Sequence, residues 1–327
     1  MKTVLMILFS IIITGLSMPV MSKQKILIIE SYHSEYSWDQ SYLSGIQSVF
    51  EDSYELFYFQ MDSKRLPLNQ HQGQADRAWV YFRQLQPDLV ILGDDSALKY
   101  LGKKISNTIT PVVFLGINDN PRHYNLHNSK NITGVLERPL IKRSISTIAY
   151  GKALKVLVLF DNSHTSQIIL KEIFYNNKQI TISGVTVDIQ LIDNWSQWQA
   201  LILDSAEQQY DMLFLGLYHT VTEESGRHIP ESEVLHWTIQ NTPIPPFAFW
   251  DFSIGVDKAI GGLVLFGYEQ GRLAAQMATL ILETQISPHP LGTQTAEKGR
   301  FLFSREQLKR FSISLPEYLI KKSAFID

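Results

Sequence analysis

Two stretches decide the fold: Lys25-Ile26-Leu27-Ile28-Ile29-Glu30 and, 130 positions later, Lys155-Val156-Leu157-Val158-Leu159-Phe160. Each is an unbroken apolar run rich in branched side chains, the pattern of a parallel strand covered on both faces. Each also heads its own alternation. After the first come a helical period over 38–50, with Leu43, Ile46, Val49 and Phe50 on one face, and a strand over 56–60. A helix over 74–85 and strands over 88–92 and 111–115 follow, with a helical turn at 97–104 between those two strands. A short strand at 132–135 ends the series. The second begins behind a helix at 139–150. It continues with a helix (166–175), a strand (185–192), a helix (196–207), a strand (211–215), a helix (232–240) and a strand (246–250). Two β-α-β-α series imply an α/β chain with two doubly wound parallel-sheet lobes and right-handed crossovers.

The last third breaks the alternation. A strand at 260–266 leads into an amphipathic helix at 268–282, then a Pro/Gly-rich stretch, the strand-like Phe301-Leu302-Phe303 and a helix from Arg305. This is too little for a third domain. The expected partition is a leader at 1–22, a first lobe of 23–136 plus 252–285, and a second of 137–251 plus 286–327. The lobes are then joined by a three-crossing hinge.

Composition narrows the function. The chain has 327 residues with 29 basic and 32 acidic side chains, a formal charge of −3 and no cysteine. Near-neutral charge speaks against binding nucleic acid through a basic surface. Without cysteine there are no disulfides, thiolate metal sites or thiol nucleophiles. Compartment is read from the N-terminus. A basic start at Lys2, an apolar run over 4–16, and Val20 and Ser22 at the −3 and −1 positions form a three-part secretory signal. The run is shorter than the ~20 residues a membrane anchor needs. Cleavage after Ser22 is expected to release a free periplasmic protein.

Ligands of doubly wound sheets sit beyond the carboxyl ends of the strands. In the first lobe those ends carry Tyr32, His33 and Trp38, then Asp94-Asp95-Ser96, then Asn118. In the second they carry Asp161, Ser163 and Thr165, then Tyr218-His219, then Trp250-Asp251. Aromatic faces among short polar groups suit a small polar solute with a ring or apolar portion. Plainer readings stand beside this one. Ser31 and Asp39 are turn and cap residue types and Trp38 a core type. Asp94-Asp95-Ser96 and Asp161, Ser163 and Thr165 also fit helix capping, with Asp95 able to cap while Asp94 faces the cleft. His219 is a lone loop histidine, and no metal site or cofactor is expected.

Nucleotide-binding, nucleophile-elbow and zinc-hydrolase motifs are missing, so catalysis is not expected. Lys64-Arg65 and Lys321-Lys322 read as solvated surface pairs.

The same strand ends carry a family resemblance. Ser31-Tyr32-His33 with Trp38, Met61-Asp62-Ser63-Lys64-Arg65, Pro87-Asp88-Leu89-Val90-Ile91 with Asp94-Asp95-Ser96-Ala97-Leu98, Gly116-Ile117-Asn118, Asn131-Ile132-Thr133-Gly134-Val135 and Trp250-Asp251-Phe252 with Gly261-Gly262 occur in order. Together they resemble the ABC-transporter substrate-binding family with the type 1 periplasmic-binding fold. The resemblance implies lobes that close on a small solute, with Tyr32, His33, Asp94, Asp95, Asn118 and Asp161 on the pocket side. It implies delivery to a membrane permease or, because similar domains sense for histidine kinases and cyclic-di-GMP enzymes, control of a membrane sensor. A secreted hydrolase using the cleft, with Asp94, His33 or His219 as acid or base, is the alternative from another class.

Overall fold

A computed structural model of the chain describes residues 22–126, 129–149, 151, 155–296 and 299–327. The leader expected over 1–22 lies, but for Ser22, outside the described residues. Among those residues no helix is long and apolar enough to cross a membrane.

The first sheet contains β1 (Lys25–Glu30), β2 (Glu55–Gln60), β3 (Leu89–Gly93), β4 (Val112–Ile117) and β5 (Ile132–Leu136), all parallel, in the order 2-1-3-4-5. β1, β3 and β4 are buried almost throughout, whereas the edge strand β2 is partly exposed. The unbroken apolar runs therefore mark the sheet centre. The second sheet contains β6 (Lys155–Phe160), β7 (Gln179–Ile182), β8 (Val185–Leu191), β9 (Met212–Leu215) and β10 (Pro246–Ala248), in the order 10-9-6-8-7. β7 is antiparallel to β8 and escaped the sequence reading. Its signal was the turn Ser183-Gly184, where both residues take the positive φ (50° and 84°) of a tight hairpin.

Three further strands, β11 (Gly261–Val264), β12 (Gln294–Thr295) and β13 (Arg300–Ser304), with β14 (Ser323–Ile326) at the C-terminus, show how the tail is distributed. β11 pairs with β13, and β13 with β14. β11 lies beside β10, where the Ile260 amide donates to Pro246 O at 2.8 Å. β12 pairs with β5. The partition expected from sequence is therefore shifted. Residues 252–265, expected in the first lobe, stay with the second, because Gly262 lets β11 lie against the β10 backbone. A Cβ at Gly262 would sit 2.0 Å from Ala248 O. Residues 286–295, expected in the second lobe, extend the first sheet. The chain still crosses three times, near 137, near 266 and between the described residues 296 and 299.

The helix Gly267–Thr284 is what the second crossing delivers to the first lobe. It packs on Ser37–Phe50 at backbone distance, since a Cβ on Gly45 would meet Tyr268 O at 2.0 Å and one on Gly271 would meet Tyr42 O at 1.8 Å. Both glycines are needed for that approach. The pair holds the loop after β1, which supplies Tyr32 and Tyr36 to the site.

Candidate functional site

Strand order reverses between β1 and β3 in the first lobe and between β6 and β9 in the second, and the carboxyl ends at these two switch points face each other. The lobes meet there: the rings of Tyr36 and His219 are edge-to-face at 4.8 Å, and Tyr32 and Thr165 line one cavity. Between the lobes lies this small cavity of ≈ 10 Å³, about one water-sized sphere. Its walls are Tyr32, Tyr36, Trp38, Lys64, Asp94, Asn118 and Glu137 on one side and Thr165, Leu217, Trp250 and Phe252 on the other.

Asp94 is the most constrained of these groups. β3 ends at Gly93, whose carbonyl accepts from the Ser31 amide at 3.1 Å and the Ser31 hydroxyl at 2.6 Å, while Ser31 Oγ accepts from Ala97 N. That clamp places Asp94 in the left-handed region, φ +66°, unusual outside glycine and a place where strain is stored at functional sites. Gly116 makes room for it, since a Cβ there would lie 2.9 Å from Asp94 Oδ1. Asp94 is 2 % exposed, and its Oδ2 has no hydrogen-bond partner. Burial, then the nearby carboxyls of Asp39, Glu137 and Asp95, hold its pKa well above the carboxylate range. A positive charge delivered to Oδ2 would reverse that.

The other walls repeat the pattern. Asn118 Nδ2 donates to Glu137 Oε2 at 2.9 Å and to Gly116 O at 3.3 Å, leaving Asn118 Oδ1 unpartnered. Glu137 also accepts from Trp250 Nε1 at 2.7 Å, and burial pushes its pKa up to about 7. Trp38 Nε1 is buried without an acceptor. Lys64 Nζ lies 4.7 Å from the Tyr32 ring centre and 5.3 Å from that of Tyr36. The cavity thus offers two acceptors, one indole donor and one ammonium among aromatic faces.

Of the residues picked from sequence, Tyr32, Trp38, Asp94, Asn118, Thr165 and Trp250 line this cavity, and Ser96 and Ser163 line an adjoining groove. Asp95 and Asp161 are turned to other work. Asp95 accepts from Asn118 N, Asp119 N and the Tyr124 hydroxyl, fixing the loop after β4. Asp161 accepts from Ser163 N and Oγ, Ser166 Oγ, His219 N and Thr220 N, fixing both loops of the second switch point. Ser163 caps the helix His164–Phe174, the plainer of its two readings. Tyr218 bonds Ser253 and stacks on His219 at 4.4 Å, and His219 supports Tyr36 from below. His33 lies 3.6 Å from Asp62, and Asp251, raised to about 6 by burial, stands outside the cavity. Tyr36, Lys64, Glu137, Leu217 and Phe252 were not picked. Lys64 corrects an expectation, being 7 % exposed rather than solvated, its ammonium lying against the two tyrosine rings.

The groove next to the cavity is larger, ≈ 610 Å³, and open to solvent. Its rim holds Lys64, Arg65, Lys99, His71, His164 and His228 against a single carboxylate, Asp193.

No family model matches the chain, and no curated protein matches it in sequence. Solved structures do match. An ABC domain in complex with L-Trp from Streptococcus pneumoniae superposes with a TM-score of 0.69 at 16 % identity, over 94 % of this chain and 100 % of that one. A ligand-free, open substrate-binding protein with adhesive properties from Clostridium difficile gives 0.60 at 14 % identity, over 94 % and 99 %. A carbohydrate-transporter solute-binding protein from Agrobacterium radiobacter in complex with D-arabinose gives 0.58 at 10 % identity, over 89 % and 98 %. At these identities the likeness is one of fold: two doubly wound lobes in the type 1 periplasmic-binding arrangement.

Proposed function

We propose that this chain is an exported binding protein that captures a small zwitterionic solute with a flat apolar portion, an aromatic amino acid being the leading class, between its two lobes. The observation that carries the reading is the pair of buried, unpartnered acceptors, Asp94 Oδ2 and Asn118 Oδ1, in an aromatic-walled cavity. Buried polar atoms are ordinarily paired, and those that are not call for a partner. An ammonium group satisfies both acceptors, Lys64 and Trp38 Nε1 suit a carboxylate, and the rings of Tyr32, Tyr36, Trp250 and Phe252 suit a planar side chain. The L-Trp bound to the Streptococcus structure supports the same class.

A solute of that size needs far more room than the closed cavity gives. Capture therefore requires the lobes to part, breaking the Tyr36–His219 contact and remaking it around the solute. A solute touching both lobes stabilises the closed state by its differential affinity. Delivery to an ABC permease is the outlet this reading favours, and nothing in the cavity calls for turnover of the solute. The test is thermal shift followed by calorimetry, with L-tryptophan, L-tyrosine and L-phenylalanine as probes and D-arabinose as the sugar control. Stabilisation by an amino acid and not by the sugar is expected. Stabilisation by the sugar alone, or by no solute in a wider library, would end the proposal.

A further inference from the structure

The loop after β4 and the helix His164–Phe174 of the opposite lobe bring together three metal-ligating side chains that the sequence reading, which expected no metal, left aside. We propose that Asp119, His123 and Glu172 form a divalent-cation site, of the kind Zn²⁺ takes, that ties the lobes in the closed state. One ligand atom from each lies within 4.8 Å of the other two.

The first-lobe half is held in place. Asp119 is 7 % exposed, its amide donates to Asp95 Oδ1 at 3.1 Å, and its Oδ1 accepts from Asn120 N at 2.7 Å. His123 sits on the short turn Pro121–Tyr124, anchored through the Tyr124 hydroxyl to the same Asp95 oxygen. Its Nδ1 lies 2.7 Å from Asp119 Oδ1. The buried Asp95 thereby fixes two ligands at once. The third comes across the cleft on an exposed, flexible side chain, Glu172, whose nearest cation is Lys171 at 3.3 Å.

One imidazole nitrogen and two carboxylate oxygens are a donor set that Zn²⁺ accepts and that suits Mg²⁺ and Ca²⁺ poorly, since those prefer all-oxygen shells. Zinc–ligand bonds of about 2.0–2.2 Å hold tetrahedral ligands roughly 3.5 Å apart. His123 Nδ1 and Asp119 Oδ1, 2.7 Å apart, separate by about 0.8 Å to reach that spacing, and the exposed Glu172 side chain closes on them. The cation takes the place of the His123–Asp119 hydrogen bond. Three protein ligands leave a fourth position for water. Two ligands from one lobe and one from the other form the full set only when the lobes are closed, so the ion shifts the open–closed equilibrium toward closure. This holds whatever solute the aromatic cavity takes.

The experiment titrates ZnCl₂ into the purified, tag-free protein by calorimetry and follows the radius of gyration by solution X-ray scattering, with MgCl₂ as control. One Zn²⁺ per chain and a smaller radius of gyration are expected, with no response to Mg²⁺. Glu172→Gln and His123→Gln alter exposed side chains and should fold normally, with unchanged zinc-free melting. Each is expected to weaken Zn²⁺ binding by about tenfold or more, and Glu172→Gln to abolish the compaction. Failure of the wild-type protein to bind Zn²⁺, affinity unaltered by both substitutions, or compaction that survives Glu172→Gln would each overturn the proposal.

Discussion

The two lobes share a four-strand parallel core and place an aspartate beyond a strand end at the switch point, yet they use it in opposite ways. In the second lobe Asp161 accepts five hydrogen bonds from two loops. In the first lobe Asp95 does that work, while its neighbour Asp94 is left strained, buried and with an oxygen unpartnered. The imbalance extends beyond this pair. Trp38 Nε1, Asn118 Oδ1, both oxygens of Asp39 and one of Glu30 are also buried without partners, and all belong to the first lobe. Asp251 and Gln307 in the second lobe share the condition but stand away from the cavity. Unsatisfied polar atoms cost stability, and the proposed solute, its polar end held by the first lobe, accounts for their concentration on that side. On the same proposal the other lobe supplies finished loops and aromatic walls.

This contrast can be broken by exchanging what is removed. Asp161→Ala takes the acceptor from five donors, three of them backbone amides, and should cost about 3–5 kcal/mol of stability, read from urea unfolding. Asp94→Asn should cost less than about 1 kcal/mol or even stabilise, because it removes a buried, uncompensated carboxyl. Equal losses from the two substitutions would erase the distinction between a loop staple and a ligand group. The same Asp94→Asn protein should bind the amino acid found by thermal shift about 100-fold more weakly, equivalent to about 2.7 kcal/mol, measured by calorimetry. Retained affinity would place the ammonium site elsewhere.

A smaller effect is expected from two glycines near the carboxyl ends of strands, Gly116 within β4 and Gly216 just after β9. Gly116→Ala forces a left-handed alanine, about 1–2 kcal/mol, and drives its Cβ into Asp94. It should therefore lower both stability and solute affinity. At Gly216 a Cβ would meet the Phe160 ring at 2.2 Å, and that ring is not part of the cavity wall. Gly216→Ala should lower the melting temperature while the affinity of the folded protein stays within about twofold of wild type.

Sequence and structure agree where one physical cause dominates. β1 and β6 are legible because a doubly covered strand has no alternative to an apolar run. β7, reading Gln179-Ile180-Thr181-Ile182 and half exposed, has no such signature, and β12 is only two residues long. At the site, position was legible and role was not. Aspartate after a strand is chosen equally for capping, for stapling loops and for holding an ammonium, and Asp94, Asp95 and Asp161 differ only in which amides the fold aims at them. The burial of Lys64 is not legible in sequence because its ammonium is covered by Tyr32 and Tyr36, about 30 residues away along the chain. Glu137 went unnoticed because it falls where the first lobe ends, and its partners Asn118 and Trp250 come from either side of that crossing.

The subtlest mark of the contrast is its pH dependence. Beneath the first-lobe switch point, burial raises Glu30 from 4.5 to about 7, against the weak opposing bond from Gln60 at 3.5 Å, and burial raises Glu137 likewise. For an acid whose folded pKa exceeds its unfolded one, the folded state binds the extra proton. The associated stability is present in full below pH 4.5 and is lost as pH rises through about 7. The solute-free protein should therefore unfold more readily at pH 8 than at pH 5. Glu30→Gln removes one of the two carboxyls, and its amide can donate to the unpartnered Asp39 oxygens. It should flatten the decline by on the order of 1 kcal/mol, measured by urea unfolding across that range. An unchanged slope would mean that Glu30 is ionised in the folded protein, and that the first lobe already compensates its charge.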